Sequence, residues 1–415
     1  MSGNDYAFPS SHPPNPRLRL RLLSSVIDMG RFFKKPYISG NTRLSAYCQQ
    51  SVFLLKFNQR PNVKKKQSLK AVDFFCGGGG MTYGFRQAGI EVIAGIDIDL
   101  KCRATYKANN KPAKFVDADI KKLSVKTLSR RIKINQNDDD LVFIDCSPCQ
   151  FWSTIKTNKT KSESSKNLLQ DFQRFVDYFR PGFVVIENVP GIVTKPDSPL
   201  AGFIQFLKDS GYGSIEHRII RVNDYGVPQG RRRFVMIASR SNILKFPDPV
   251  HNESLTVQNF IGDEKLFPRI EAGHIDSTVF CHTASGLTET SLERFKLTPH
   301  NGDSRDSWQN TELQIAVYKE RDGDKNFGFR DVYGRMSWNK VAPTITTKFF
   351  GISHGRFGHP DQDRAISIRE GARLQTFPNT YVFKIRAISD KARLIGNAVP
   401  PELAKRIAEA IIEAK

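Results

Sequence analysis

The chain has 415 residues, 39% hydrophobic and 25% charged, which is ordinary globular composition with room for two or three domains. No apolar run approaches the length of a membrane span, and six cysteines without framework spacing argue against a disulfide-built secreted domain and for a reducing, intracellular setting. A net charge of +21, with pI about 9.7, points to a polyanionic partner, nucleic acid first.

Residues 1–68 form a first segment. Twelve Lys and Arg stand there against two acids, Asp5 and Asp28, so nearly half of the net charge lies in this arm. Pro9, Pro13, Pro14 and Pro16 discourage regular structure at its start. A basic, largely disordered extension is expected. A DNA-clamping arm, a transit peptide, or sequence upstream of a start at Met29 would have the same composition.

A strand–helix rhythm begins at Leu69. Lys70–Phe75 reads as a strand, Cys76–Met81 as a tight glycine loop, Thr82–Ala88 as the start of a helix, and Glu91–Ile96 as the next strand, closed by Asp97. Strand, glycine loop, helix, strand and acid make up the nucleotide-binding half of a Rossmann-like sheet. The dinucleotide fingerprint fails, because Thr82 stands where its last glycine belongs. The glycines still allow a ligand close to the backbone, and Asp97 is placed to accept hydrogen bonds from ribose hydroxyls. Lys114–Ile120 reads as another strand-and-acid unit, with Asp119 available to an adenine amino group.

Leu141–Asp145 reads as a buried parallel strand. Pro148 ends it, and Cys149 falls in the turn beyond its carboxyl end, where open α/β sheets bind ligands. A thiol there is a potential nucleophile. Cys146 reads as a small buried hydrophobe. The Cys146–Cys149 pair has no second pair with which to build a structural zinc site, so no metal is expected. Residues 156–166 are lysine-rich and read as a loop beside the site, either a solvated surface loop or a lid that brings cations to a phosphate backbone. Leu168–Phe179 has helical periodicity.

Phe183–Pro190 is a further buried strand carrying Glu187, an acid too costly to bury without a partner. After it, Gln229-Gly-Arg231-Arg-Arg233 leads into a strand at Phe234–Ala238. Arg231 and Arg233 alternate, so both can point the same way from an extended chain. From Ser239 to about Asp331 the rhythm is lost, as in a smaller irregular domain, and Tyr333–Phe349 is β-prone. The tail from Ser389 reads as a loop, Gly396–Pro401, followed by an amphipathic helix.

These blocks, taken in order, resemble the DNA (cytosine-5) methyltransferases of the bacterial modification type. They are Asp73-Phe-Phe-Cys-Gly-Gly-Gly-Gly80, Asp97, Asp119-Ile120, Pro148-Cys149-Gln150, Glu187-Asn188-Val189, Gln229–Arg233, Tyr333–Thr347 and Gly396–Val399. The resemblance covers residues 70–415. It implies an α/β fold: a Rossmann-like S-adenosylmethionine-dependent methyltransferase domain over 69–240, completed by 389–415, with a smaller target-recognition domain over 241–388. For the cofactor it implies Phe75 stacked on adenine and Asp97, with Ile98 beside it, at the ribose. Asp119 and Ile120 would frame the base, and Gly77, Gly79 and Gly80 would lie against the methionine end. Pro148, Leu168, Asn397 and Ala398 would close the pocket. For chemistry it implies Cys149 as nucleophile and Glu187 at the ring nitrogen, with Arg231, Arg233 and Gln229 around the base. Phe151-Trp152-Ser153 departs from the Gly-Phe-Ser that is usual in the family, and a bulkier DNA-facing loop is expected there.

The expected substrate is double-stranded DNA, methylated by a monomer in the bacterial cytoplasm, with a cognate restriction endonuclease as a candidate partner. Two alternatives fit the same fold. One is a non-catalytic DNA-binding regulator, against which Cys149, Glu187 and Asp97 all stand. The other is an RNA cytosine-5 methyltransferase, whose Cys-Phe-Thr signature is absent.

Overall fold

The computed structural model describes residues 68–148, 151–152, 165–250, 255–302, 304–316 and 331–415. The basic arm, Cys149, Gln150, Ser153 and most of the lysine-rich loop lie outside the described residues.

Seven strands form one sheet: β1 (Lys70–Phe74), β2 (Glu91–Asp97), β3 (Lys114–Asp117), β4 (Leu141–Asp145), β5 (Phe183–Asn188), β6 (Ser214–Arg221) and β7 (Arg232–Ser239). Their order is β3-β2-β1-β4-β5-β7-β6. The first five run parallel, and β7 lies antiparallel to both β5 and β6. The winding reverses between β1 and β4, so the ligand crevice belongs at their carboxyl ends. Every residue of β4 and β5 is buried, as expected of strands covered on both faces.

The helices are α1 (Gly80–Ala88), α2 (Leu100–Asn109), α3 (Val125–Ile132), α4 (Leu168–Phe179), α5 (Gly191–Thr194), α6 (Leu200–Asp209), α7 (Val257–Ile261), α8 (Glu289–Leu297), α9 (Ile368–Leu374), α10 (Ile388–Asn397) and α11 (Pro401–Ala414). In α4, Leu168, Leu169, Phe172, Phe175, Val176 and Phe179 make a helical stripe that packs with α3 and α6 on one face of the sheet. The other face is covered by α1, α2 and α11, the last opening with Pro401 in its first turn. No helix among the described residues is long and apolar enough to cross a membrane.

Residues 255–395 carry two cores of their own. Among the described residues they contain no named strand, only isolated bridges such as Arg335 with Gly358. The fully buried Arg335 holds the smaller core together. It donates to the carbonyls of Phe295, Thr298, His359 and Gln362 and pairs with Asp363.

Several sequence expectations need correction. β3 stops at Asp117, and Asp119 and Ile120 lie in the turn beyond it, where Asp119 accepts from the Lys122 and Leu123 amides. The β-prone stretch 333–349 forms no strand, only isolated bridges from Ala342 to Gln229 and from Arg335 to Gly358. The tail is helical from Ile388, because α10 buries Ala392, Leu394, Ile395 and Gly396, and its helix ends at Asn397.

Candidate active site at the carboxyl edge of the sheet

The glycine loop is built on two carboxylates. Asp73, fully buried at the end of β1, accepts from the Thr82 hydroxyl at 2.6 Å and the Thr82 amide at 3.2 Å, which fixes the start of α1. Asp97, the last residue of β2, accepts from the Gly77 amide at 2.7 Å and the Asp99 amide at 2.8 Å. Burial raises the Asp97 carboxyl, against the pull of those two amides. Phe75 turns the chain out of β1 with φ 61, a left-handed conformation unusual for an aromatic residue.

Three of the loop's four glycines, Gly77, Gly79 and Gly80, are not alike. At Gly77, with φ +50, an added Cβ would meet nothing within 4 Å. At Gly79 it would run into the Asn110 amide, and at Gly80 into the Val399 carbonyl. The protein's own packing therefore requires a small residue at Gly79 and Gly80, and Gly77 is the one that faces open space.

Around this loop, Ile98 is 64% exposed, an apolar side chain left uncovered beside Asp97. Asp119 accepts from the Lys121 amide at 3.0 Å, and the carbonyl of buried Ile120 accepts from Arg174 on α4. Leu168 is buried at the start of α4. Pro148 and Asn397 are exposed and Ala398 is half-buried. Asp99 caps α2 and pairs with Arg393 at 2.7 Å, tying the end of β2 to the helix that ends at Asn397.

Glu187 is buried at the end of β5, and Arg233 Nε lies 2.9 Å from its Oε1. The cost of burying this acid is thus met by a guanidinium. Arg231 and Gln229 go elsewhere. Arg231 donates to the carbonyls of Ile345 and Gly396, at 3.2 and 3.1 Å. Fully buried Gln229 donates to Leu374 and Gln375 and accepts from the Ile345 amide. Strand alternation begins only at Arg232, so Arg231 lies outside it and does not share a target with Arg233.

The sequence reading passed over the polar groups behind the Pro148 turn. Asp145, fully buried, accepts from the Ser147 hydroxyl at 3.0 Å. Asn188 donates to the Ser147 carbonyl at 3.4 Å. An acid ending the apolar run of β4 was the available signal, the same one that singled out Glu187. Burial and the carboxylates of Asp73, Glu187 and Asp145 push the Cys146 thiol well up, so it is the inert member of the cysteine pair. Trp152 is 2% exposed and packs in the core, with its carbonyl against Gly191, where a Cβ would not fit. The indole therefore does not enlarge the outer surface of the loop. Phe151 is the half-buried one, and its carbonyl accepts from Lys195 at 2.8 Å.

A family model described as C-5 cytosine-specific DNA methylase matches residues 69–413. The chain is 37% identical over 349 residues to the Type II methylase M.HgiDII of Herpetosiphon aurantiacus, covering 82% of this chain and 94% of the relative. It is 31% identical to the Type II methyltransferase M1.HphI of Haemophilus parahaemolyticus, covering 83% and 87%. Among solved structures, a putative DNA modification methyltransferase encoded within an E. coli prophage superposes with a TM-score of 0.63. That pair is 21% identical and covers 84% of this chain and 99% of the other, a likeness of fold.

Proposed function

The chain belongs to the C-5 cytosine-specific DNA methylase family and is a DNA (cytosine-5) methyltransferase; from that premise we propose that it methylates carbon 5 of a cytosine flipped out of a specific double-stranded sequence, through a covalent adduct on Cys149. The observation that carries the reading is Glu187, buried against Arg233 at the end of β5, next to the strand that leads to Pro148 and Cys149.

Carbon 5 of cytosine is a poor nucleophile. A thiolate from Cys149 adding to carbon 6 makes carbon 5 enamine-like. Glu187 stabilises the charge that develops by protonating or hydrogen-bonding ring nitrogen 3. Arg233 orients that carboxyl and reaches the base carbonyl. Arg231 and Gln229 act one step back, holding 342–345 and the end of α10 against the site. Once carbon 5 carries its methyl group, a base removes the carbon 5 proton and the thiolate leaves. None of this is reachable inside a duplex, hence the flipped base.

The described residues fit S-adenosylmethionine. Open space over Gly77 admits the methionine end, Asp97 retains free lone pairs for ribose hydroxyls, and half-buried Phe75 with exposed Ile98 offers apolar surface to the adenine. Asp119 and Ile120 border the base, and Pro148, Leu168, Asn397 and Ala398 border the pocket. When bound, the cofactor supplies the electrophilic methyl group. A cognate endonuclease that shares the target fits the Type II relatives.

Duplex DNA carrying 5-fluorocytosine at the target tests the covalent route. Fluorine cannot leave as a cation, so the reaction stalls with sulfur on carbon 6, and mass spectrometry should find the adduct on Cys149 only when cofactor is present. Cys149→Ser should abolish both trapping and methylation. An adduct on Cys146, or Cys149→Ser turning over at the wild-type rate, would overturn the reading. Preference for tRNA over duplex would favour an RNA substrate instead.

A further inference from the structure

β6 and β7 meet at the carboxyl edge of the sheet, and their register sets Arg221 directly opposite Arg232. Residues so placed in an antiparallel pair have Cβ atoms about 4.5–5.5 Å apart, and like charges there are destabilising. Both side chains are exposed, and neither has an ion pair or a side-chain hydrogen bond among the described residues. Neighbouring cations differ: Arg233 pairs with Glu187, Arg231 holds two carbonyls, and Arg218 lies over the Phe246 ring. Among the described residues, the repulsion between Arg221 and Arg232 is therefore left uncompensated.

Their position explains what could compensate it. Phe234 is the register partner of Asn188 in β5, so Arg232 stands two residues beyond the end of the strand that carries Glu187. At about 3.3 Å per residue, that places the arginine pair about 7 Å past the site's own edge. A duplex carries one negative charge per about 1.7 Å of axis, so a backbone docked with its cytosine at Glu187 brings phosphates to this edge. Two guanidinium forks on facing strands match the oxygens of one phosphate.

We propose that Arg221 and Arg232 grip a single phosphate of the DNA backbone near the flipped base, so that the anion relieves their mutual repulsion. The inference rests on the duplex-DNA reading above. Binding of the full-length protein to a duplex containing its mapped target, measured across a salt series, tests it. Arg221→Gln/Arg232→Gln should flatten the log–log salt slope by about 0.9, one phosphate's worth. Between 50 and 200 mM salt, that variant should lose about 3.5-fold less affinity than the parent. Each single Gln variant should keep most of the parental slope, because the remaining arginine still neutralises the shared phosphate, and Arg221→Lys/Arg232→Lys should keep it as well. The thermal midpoint of the double Gln variant should hold or rise, since removing like charges relieves strain.

An unchanged slope in the double variant overturns the proposal, as do two additive losses, one per arginine. If the parent methylates the duplex and the slope stays fixed, only the arginine grip fails. If the parent does not methylate duplex DNA at all, the functional reading fails with it.

Discussion

Asp73 and Asp145, at the ends of β1 and β4, are fully buried, and burial pushes both carboxyls up to about 7 despite hydrogen bonds from Thr82 and Ser147. In each, Oδ1 is buried without a hydrogen bond, which suits a protonated acid better than an anion. Two buried groups of the 255–395 region titrate in the opposite sense. Burial opposes the charge on Glu370, but the Arg364 fork, 2.8 Å from both oxygens, holds its carboxyl down at about 2. Burial lowers His359 to about 4 and keeps it neutral. The signs follow by linkage. A raised acid contributes stability that is present below about 3.8 and lost as pH rises to about 7. His359 and Glu370 contribute stability that is present above their ordinary values and lost as pH falls, through about 4 and about 2. Asp145→Asn should therefore gain on the parent by about 2 kcal/mol between pH 5 and pH 8, because the amide has no proton to lose. Urea unfolding at the two pH values measures this, and an equal parent–variant difference at both would refute the titration of Asp145.

At the scale of elements, α1 and α11 are packed backbone to backbone. A Cβ on Gly84 would strike the Pro401 carbonyl and the Ala404 side chain. Gly84→Ala should cost about 1–3 kcal/mol through overpacking, read as a lower thermal midpoint. Gly77→Ala has room, and its strain at φ +50 costs about 1–2 kcal/mol. Its larger effect should be weaker S-adenosylmethionine binding by calorimetry, since the added methyl occupies the open side of the loop. If Gly77→Ala bound the cofactor as the parent does, Gly77 would not lie against it. The sequence carries part of this distinction: both glycines were visible, but which faces a helix and which faces space depends on a partner over 300 residues away. The same limit explains which elements were legible. β4 and α4 announce themselves by an apolar run and a helical stripe, and the structure places them at the expected residues. β6 was passed over because it is an edge strand with exposed His217, Arg218 and Arg221, lacking the clean alternation of a half-buried strand. Of the candidate site residues, Glu187 was legible as a costly buried acid. The diversion of Arg231 and Gln229 toward 342–345 and 396 is a tertiary fact that local spacing does not contain.

At the scale of the molecule, the irregular region has an internal division that selects the segment to exchange in a test of specificity. α7 packs into the larger core with α9 and α10, which places it with the framework of the site. Phe295 and Trp308 belong to the smaller core, completed by Val332, Tyr333, Ile352 and Ala365 from later in the chain. Arg335 joins the two parts: it donates to the backbone carbonyls of Phe295 and Thr298, groups every sequence possesses, and its guanidinium lies over the Phe295 ring, 4.1 Å from the centroid. An exchanged segment can satisfy it as long as its chain follows the same path and returns two large apolar side chains to the positions of Phe295 and Trp308. Phosphate contacts position a protein on DNA, whereas base contacts specify the sequence, and residues 287–330 are polar, aromatic-dotted and free of the catalytic motifs. Replacing residues 287–330 with the equivalent stretch of a relative that has another target should therefore transfer that relative's methylated sequence, as bisulfite mapping of treated DNA would show. An active chimera that still marks the parental site would place the base-reading residues outside this segment.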